Sequence, residues 1–176
     1  MEAAAIGMND RDYSHFYQQL TGRIRESGAA CFCLRTAGKT ATGIMYAAYP
    51  LLLGKLAMER DWRGVLVSIL IPGAGFFLLT AVRAKINRPR PYETWRIDPL
   101  VPKDTRGNSM PSRHVFSSSL ISMAWMSVSP PAGLALLAVS AAAAWIRVLA
   151  GVHYPSDVIA GYLAGVAAGL PLLFLL

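Results

Sequence analysis

Residues 147–157 place a guanidinium, an imidazole and a carboxylate (Arg147, His153 and Asp157) between two strongly apolar segments. Ionisable groups beside membrane-like segments are costly to keep, so they mark functional sites by default. A histidine four residues ahead of an aspartate suits an imidazole whose orientation and charge are set by the carboxylate, as a nucleophile or base requires. Arg147 adds a planar fork of donors that matches phosphate. Standing alone, the stretch would equally describe a helix start capped by Asp157 next to an unrelated arginine.

Two further clusters change that balance. One is the basic run that contains Arg83 and Arg90; the other is Pro111-Ser112-Arg113-His114, which opens a helix and carries a second imidazole. Two histidines, one aspartate and several guanidinium groups are what a phosphate ester or anhydride needs. Arg83, Arg90 and Arg147 can bind nonbridging oxygens and the charge that develops on them. Ser112 and the backbone N–H groups after Pro111 lie at a helix N-terminus, where phosphate is favoured. One histidine can attack phosphorus while the other protonates the leaving oxygen. No Cys/His or multi-carboxylate grouping has metal-ligand spacing, so no metal and no cofactor is expected. His15 falls on a surface helix.

The elements that must position these groups are apolar. Hydrophobic residues make up 54% of the 176 and charged ones 15%, against about 25% charged in soluble domains. Residues 64–82 and 158–176 carry no charge, and each approaches the ~20 residues that span a bilayer. The expected fold is all-α: a polytopic membrane helical bundle of about five transmembrane helices plus an N-terminal amphipathic helix. Two portions are expected, an amphipathic or interfacial segment over residues 1–39 and a membrane-embedded domain over residues 40–176. The crossings are drawn at 40–58, 64–82, 111–128, 132–150 and from 155 or so to the C-terminus. Between 83 and 110 a proline-rich basic loop is long enough to be functional. Residues 9–25 repeat aromatic and aliphatic side chains every three or four positions, which describes a helix lying at the interface or standing in water.

This topology brings all three clusters to one membrane face. Gly161, Gly165 and Gly169 recur every four residues, giving the last helix a face for close packing. The formal charge of +7 fits nucleic acid, anionic lipid or a phosphorylated substrate. Without an aromatic-interleaved basic motif, nucleic acid is set aside. The partners expected are the bilayer and a membrane lipid phosphate, and the location a cell membrane crossed several times. Loop charges then point to a cytoplasmic site by the positive-inside rule. Cys31 and Cys33 are too close for an easy disulfide. The first residues lack the basic-then-apolar pattern of a leader.

The three clusters resemble the signature of the type 2 phosphatidic acid phosphatase / vanadium haloperoxidase superfamily. Its first motif is Lys, six residues, then Arg-Pro; here Arg83 stands seven before Arg90-Pro91. Its second is Pro-Ser-Gly-His, here Pro111-Ser112-Arg113-His114. Its third is Ser-Arg, five residues, His, three residues, Asp, here Ile146-Arg147, His153 and Asp157. The resemblance covers roughly residues 80–176. It departs at Arg83, at Arg113 and at Ile146, and Lys85 or Arg88 could fill the first-motif lysine role in place of Arg83.

The resemblance implies a membrane lipid phosphatase working without a metal. His153 would attack phosphorus to give a phosphohistidine, with Asp157 orienting it. His114 would protonate the departing group and then help water attack. Arg83, Arg90, Ser112, Arg113 and Arg147 would bind the phosphoryl group. Substrates expected by the same resemblance are undecaprenyl diphosphate, phosphatidylglycerol phosphate or phosphatidic acid. The charge on Arg83, Lys85, Arg88, Arg90 and Arg113 leans towards the diphosphate, whereas Arg88, Lys103 and Arg106 also suit contact with lipid headgroups. Lipid phosphotransfer through the same intermediate and vanadate-dependent haloperoxidase chemistry are the alternatives.

Overall fold

Short polar signals divide the chain into helices. In a computed structural model that describes residues 10–176, these are α1 (Asp10–Arg25), α2 (Gly28–Met58), α3 (Trp62–Ile86), α4 (Pro91–Thr94), α5 (Arg113–Val128), α6 (Pro130–Leu149), α7 (Pro155–Gly169) and α8 (Leu172–Leu175). Ser27 caps α2 by accepting from the Ala30 N–H at 3.2 Å, and Asp61 caps α3 by accepting from Gly64 at 2.8 Å. Such caps satisfy N–H groups that have no partner inside the helix. Asn87, at φ 41°, ends α3 in the left-handed conformation, which asparagine tolerates better than most residues. The described residues are all-helical apart from their connections, as expected.

Among the described residues, three segments are long and apolar enough to cross a membrane: 62–94, Pro130–Leu149 and 155–175. Their outward faces carry Leu66, Leu70, Phe77, Leu78, Trp145, Leu163 and Phe174, all exposed. Lipid rather than water is the solvent that such faces match. Helix α5 is more polar because it stands at the centre, packed by α2, α3, α6, α7 and α8. A helix screened from lipid needs no apolar surround. Its Ser118, Ser119 and Ser122 are buried, and their hydroxyls bond to backbone carbonyls one turn back. Ser122 also meets Ser140 of α6 at 3.2 Å.

The glycine face of α7 lies on this central helix. A methyl group at Gly161 would come within 2.6 Å of the Ser112 carbonyl oxygen, and one at Gly165 would overlap Ser119 Oγ and the Phe116 carbonyl. Close backbone approach therefore fixes α7 against the start of α5. Beneath the site and on towards the far end of the bundle, Leu52, Leu56, Leu79, Phe116, Leu120, Ala124 and Leu172 form an apolar cluster.

Helix α2 begins twelve residues ahead of the crossing drawn at 40–58. At 31 residues it is about 46 Å long, more than the ~30 Å hydrocarbon core. No glycine or proline signal near residue 39 is strong enough to break it, so the expected boundary at 39/40 falls inside one helix. Its first turns reach the loop layer, where the Arg35 guanidinium donates to the Leu100 carbonyl at 2.8 Å.

Helix α1 is docked on that same loop layer rather than standing in water. Tyr13 and Tyr17 are buried, and Tyr13 stacks at 5.5 Å on Trp95 and 5.2 Å on Tyr154. The Tyr17 hydroxyl donates to the Leu149 carbonyl at 2.9 Å and accepts from the Leu100 N–H at 3.3 Å. Gly151, at φ 76°, lets the chain pass beneath this tyrosine, because a methyl there would approach its oxygen to 2.6 Å. His15 is exposed, as expected.

Candidate active site

The C-terminal ends of α3 and α6 and the N-terminal ends of α5 and α7 meet at one end of the bundle, bringing the three sequence clusters together. Asp157 occupies the first turn of α7, where a carboxylate is favoured by the helix dipole. It is fully buried and surrounded by donors. Its Oδ2 accepts from the Tyr154 N–H at 3.0 Å and from the Ser109 hydroxyl. Its Oδ1 accepts from the Arg88 guanidinium at 2.7 Å. Its backbone carbonyl accepts from the Ser112 N–H at 2.9 Å, which ties the start of α7 to the start of α5.

His153 sits one turn before Asp157 and is also buried, with 3% of its surface exposed. Its Nδ1 lies 3.5 Å from Asp157 Oδ2 and 3.4 Å from Ser109 Oγ. Because Ser109 donates its own proton to Asp157, both neighbours of Nδ1 are acceptors. This network assigns the proton to Nδ1 and leaves Nε2 with its lone pair. Burial lowers the pKa of His153 below the usual imidazole range; the Asp157 contact opposes that, and the nearby Arg90 and Arg147 charges reinforce it. The ring is therefore neutral near pH 7, as a nitrogen nucleophile must be.

Arg88 is held in place from several sides. Besides Asp157 it donates to Ser156 Oγ at 2.9 Å, and its guanidinium lies 4.1 Å from the centre of the Tyr154 ring. Tyr154 in turn accepts from Trp95 Nε1 at 2.8 Å. The expectation that Arg88 faces lipid headgroups is thus corrected: a buried carboxylate draws it inward. Lys85 is exposed and makes no contact with the cluster.

The remaining arginines divide by what they touch. Arg83 is buried and donates to the carbonyls of Asn108 and Pro111, so it shapes the loop that carries Ser109 and Ser112. Arg90 is buried as well and donates to the carbonyls of Gly107 and Val152 at 3.2 and 3.3 Å. Each guanidinium keeps further N–H groups for a ligand. Ser112 Oγ is fully buried and has no hydrogen-bond partner. An orphaned buried hydroxyl costs free energy unless something outside the protein engages it.

Arg147, His114 and Arg113 line a cleft of about 360 Å³ between α2, α3, α5 and α6. Helix α2 contributes Thr42 and Tyr46 to its wall, and Thr42 Oγ1 lies 3.5 Å from an Arg147 nitrogen. Arg113 leans over Phe76, 5.4 Å from the ring centre. The cleft continues past Phe76, Ser117 and Ile121 into an apolar groove of about 320 Å³, walled by Tyr49, Ile69, Pro72 and Phe77.

Sequence reasoning missed Ser109, the pairing of Arg88 with Asp157 and the α2 wall. Ser109 stands 44 residues from His153, and Arg88 69 from Asp157; no local spacing could pair them. The surplus charge that favoured a diphosphate also shrinks, since Arg88 serves Asp157, Arg83 serves two carbonyls and Lys85 is exposed.

The family model described as the PAP2 superfamily matches residues 61–175, which include all three clusters. Among solved structures, the chain is similar to Aquifex aeolicus LpxE, with 22% identity and a TM-score of 0.70 over 91% of this chain and 93% of that one. It is also similar to the first transmembrane PAP2 type phosphatidylglycerolphosphate phosphatase from Bacillus subtilis, with 20% identity and a TM-score of 0.56 over 89% and 90%. At these identities the likeness is one of fold. No curated protein matches the chain.

Proposed function

Because the chain belongs to the PAP2 superfamily, we propose that it is an integral membrane lipid phosphatase that works through a phosphohistidine and needs no metal. The observation that carries this reading is the fixed pair of His153 and Asp157. Three donors converge on that carboxylate, with His153 Nδ1 3.5 Å away, so its charge and position are set before any substrate arrives. Preorganisation of this kind contributes most to charge stabilisation in a site closed to water.

In the proposed reaction, Nε2 of His153 forms a bond to phosphorus and the bond to the leaving oxygen breaks. His114 gives that oxygen a proton, and Asp157 stabilises the cation formed on His153 through Nδ1–H. Water then attacks phosphorus, His114 takes its proton, and the N–P bond breaks to free inorganic phosphate and neutral His153. Arg90, Arg147 and the orphaned Ser112 hydroxyl supply donors to the phosphoryl oxygens. The apolar groove behind Phe76 supports a lipid substrate, since an acyl or prenyl chain could stay there while its headgroup enters the cleft.

Phosphate release by detergent-solubilised protein, with chelator present, tests the reading. The panel is phosphatidic acid, phosphatidylglycerol phosphate and undecaprenyl diphosphate, with His153→Ala alongside. Turnover of at least one lipid, lost in the variant, is expected. Folded protein that releases phosphate from none of them, or turnover that needs a divalent metal, contradicts it.

A further inference from the structure

A second cleft, of about 450 Å³, lies across Arg147 from the first and shares Thr42, Tyr46 and Arg147 with it. It runs between the first turns of α2, the 101–103 loop and the end of α6. Arg35, Lys39, Lys103 and Arg147 line it, and no carboxylate does. Neither Lys39 nor Lys103 is in an ion pair among the described residues. Lys103 is also half enclosed; burial lowers its pKa, and the Arg147 and Arg90 charges add to the effect. Like charges gathered in a concave site without a counter-charge are a standing cost that an anionic ligand would relieve.

Resting on the reading above, we propose that this cleft is a second anion subsite, built to hold a further phosphate of the same lipid while the reacting phosphate sits beside His153. Arg147 stands between the two clefts and can face both groups. Apart from Arg147, the cations involved (Arg35, Lys39 and Lys103) lie outside the three motifs; Arg35 and Lys39 come from the extended start of α2. The substrate class that follows is a lipid carrying two phosphate groups rather than a simple phosphomonoester. Charge matching of this kind acts chiefly on binding, so it should appear in KM and not in the chemical step.

The test compares phosphate release from phosphatidylglycerol phosphate, which has a second phosphate, with release from phosphatidic acid, which has none. Wild type, Lys39→Gln and Lys103→Gln are assayed in uncharged detergent, so that bilayer headgroups are absent. Each variant is expected to raise KM for the two-phosphate lipid about tenfold, with kcat kept and phosphatidic acid turnover unchanged. Equal effects on both lipids, or none on either, overturn the subsite. An effect seen only in anionic bilayers, and alike for both lipids, assigns these cations to the membrane surface instead. Failure of folded wild type to hydrolyse these two lipids and undecaprenyl diphosphate alike would count against the phosphatase reading itself, a result distinct from these.

Discussion

At the scale of single residues, Arg88 decides whether the His153–Asp157 pair can exist. Asp157 has no exposed surface and Arg88 is its one cationic partner. Removing one member of a buried pair leaves an uncompensated charge and costs about 3–5 kcal/mol. Arg88→Ala should therefore lower thermal stability in detergent and abolish activity. Arg88→Lys should recover much of the stability but less of the activity, because an ammonium cannot bridge Asp157 and Ser156 over the Tyr154 ring in the same plane. His153 makes a separate prediction. With its folded pKa depressed, the neutral imidazole persists below its ordinary value of about 6.5, so on the proposed mechanism the acid limb of kcat/KM should lie below that pH. The unfolded chain binds a proton that folded His153 refuses, so this residue's contribution to stability is complete above about 6.5 and falls as pH drops towards the depressed value. Denaturant titrations across that range check the sign. Arg147, His153 and Asp157 were legible in the sequence as a candidate cluster because they fall within eleven residues, and His114 because it closes the local Pro111–His114 run. Ser109 was not, since only the folding of the 87–112 loop brings its hydroxyl against Asp157.

At the scale of elements, the contact of α5 with α7 sets the distance between the second and third clusters. Gly161 abuts the backbone of Ser112, so Gly161→Ala must push the two helix starts apart. Overpacking of this kind costs about 1–3 kcal/mol, and here its displacement falls on the site. Gly169→Ala presses instead on Met123, deep in the bundle. The first substitution should reduce turnover more than stability, and the second the reverse; paired activity and melting measurements separate them. Helix α1 acts on the opposite side. Tyr17→Phe removes the hydroxyl that joins Leu149 to Leu100, at a cost of about 1–2 kcal/mol, and should raise proteolytic access to the 95–110 loop. The apolar runs of α3, α6 and α7 were readable from composition. The central place of α5 was not, because a helix enclosed by other helices loses the hydropathy that lipid would demand. The docking of α1 was also hidden: an amphipathic pattern shows that a face is covered, without showing by what.

At the scale of the whole molecule, the bundle places its polar chemistry at one end, directly above an apolar cluster that runs from Leu79 and Phe116 down to Leu56 and Leu172. The basic side chains of the loop layer, including Arg35, Lys39, Lys103 and Arg106, gather at the site's end, so the positive-inside rule predicts that this end faces the cytoplasm. Cys33 is exposed near the start of α2, on the same side. With Cys31→Ser, a membrane-impermeant maleimide should label Cys33 in inverted vesicles and not in right-side-out cells. The opposite pattern would turn the site outward. The sequence carried the common placement of three clusters because the first two flank a single loop and two helices, α5 and α6, carry the chain away from that face and back to it before the third. It could not carry the second cleft, which depends on α2 continuing twelve residues beyond its apolar part.

The central claim is a covalent bond between His153 and phosphorus. Protein mixed with a lipid labelled in its terminal phosphate, then quenched within milliseconds, should carry protein-bound label that is released by acid and survives alkali. That label should be absent from His153→Ala and accumulate in His114→Ala on a substrate with a good leaving group, where attack proceeds but hydrolysis is slowed. Full turnover by His153→Ala, or a wild-type burst that never labels the protein, would contradict the account.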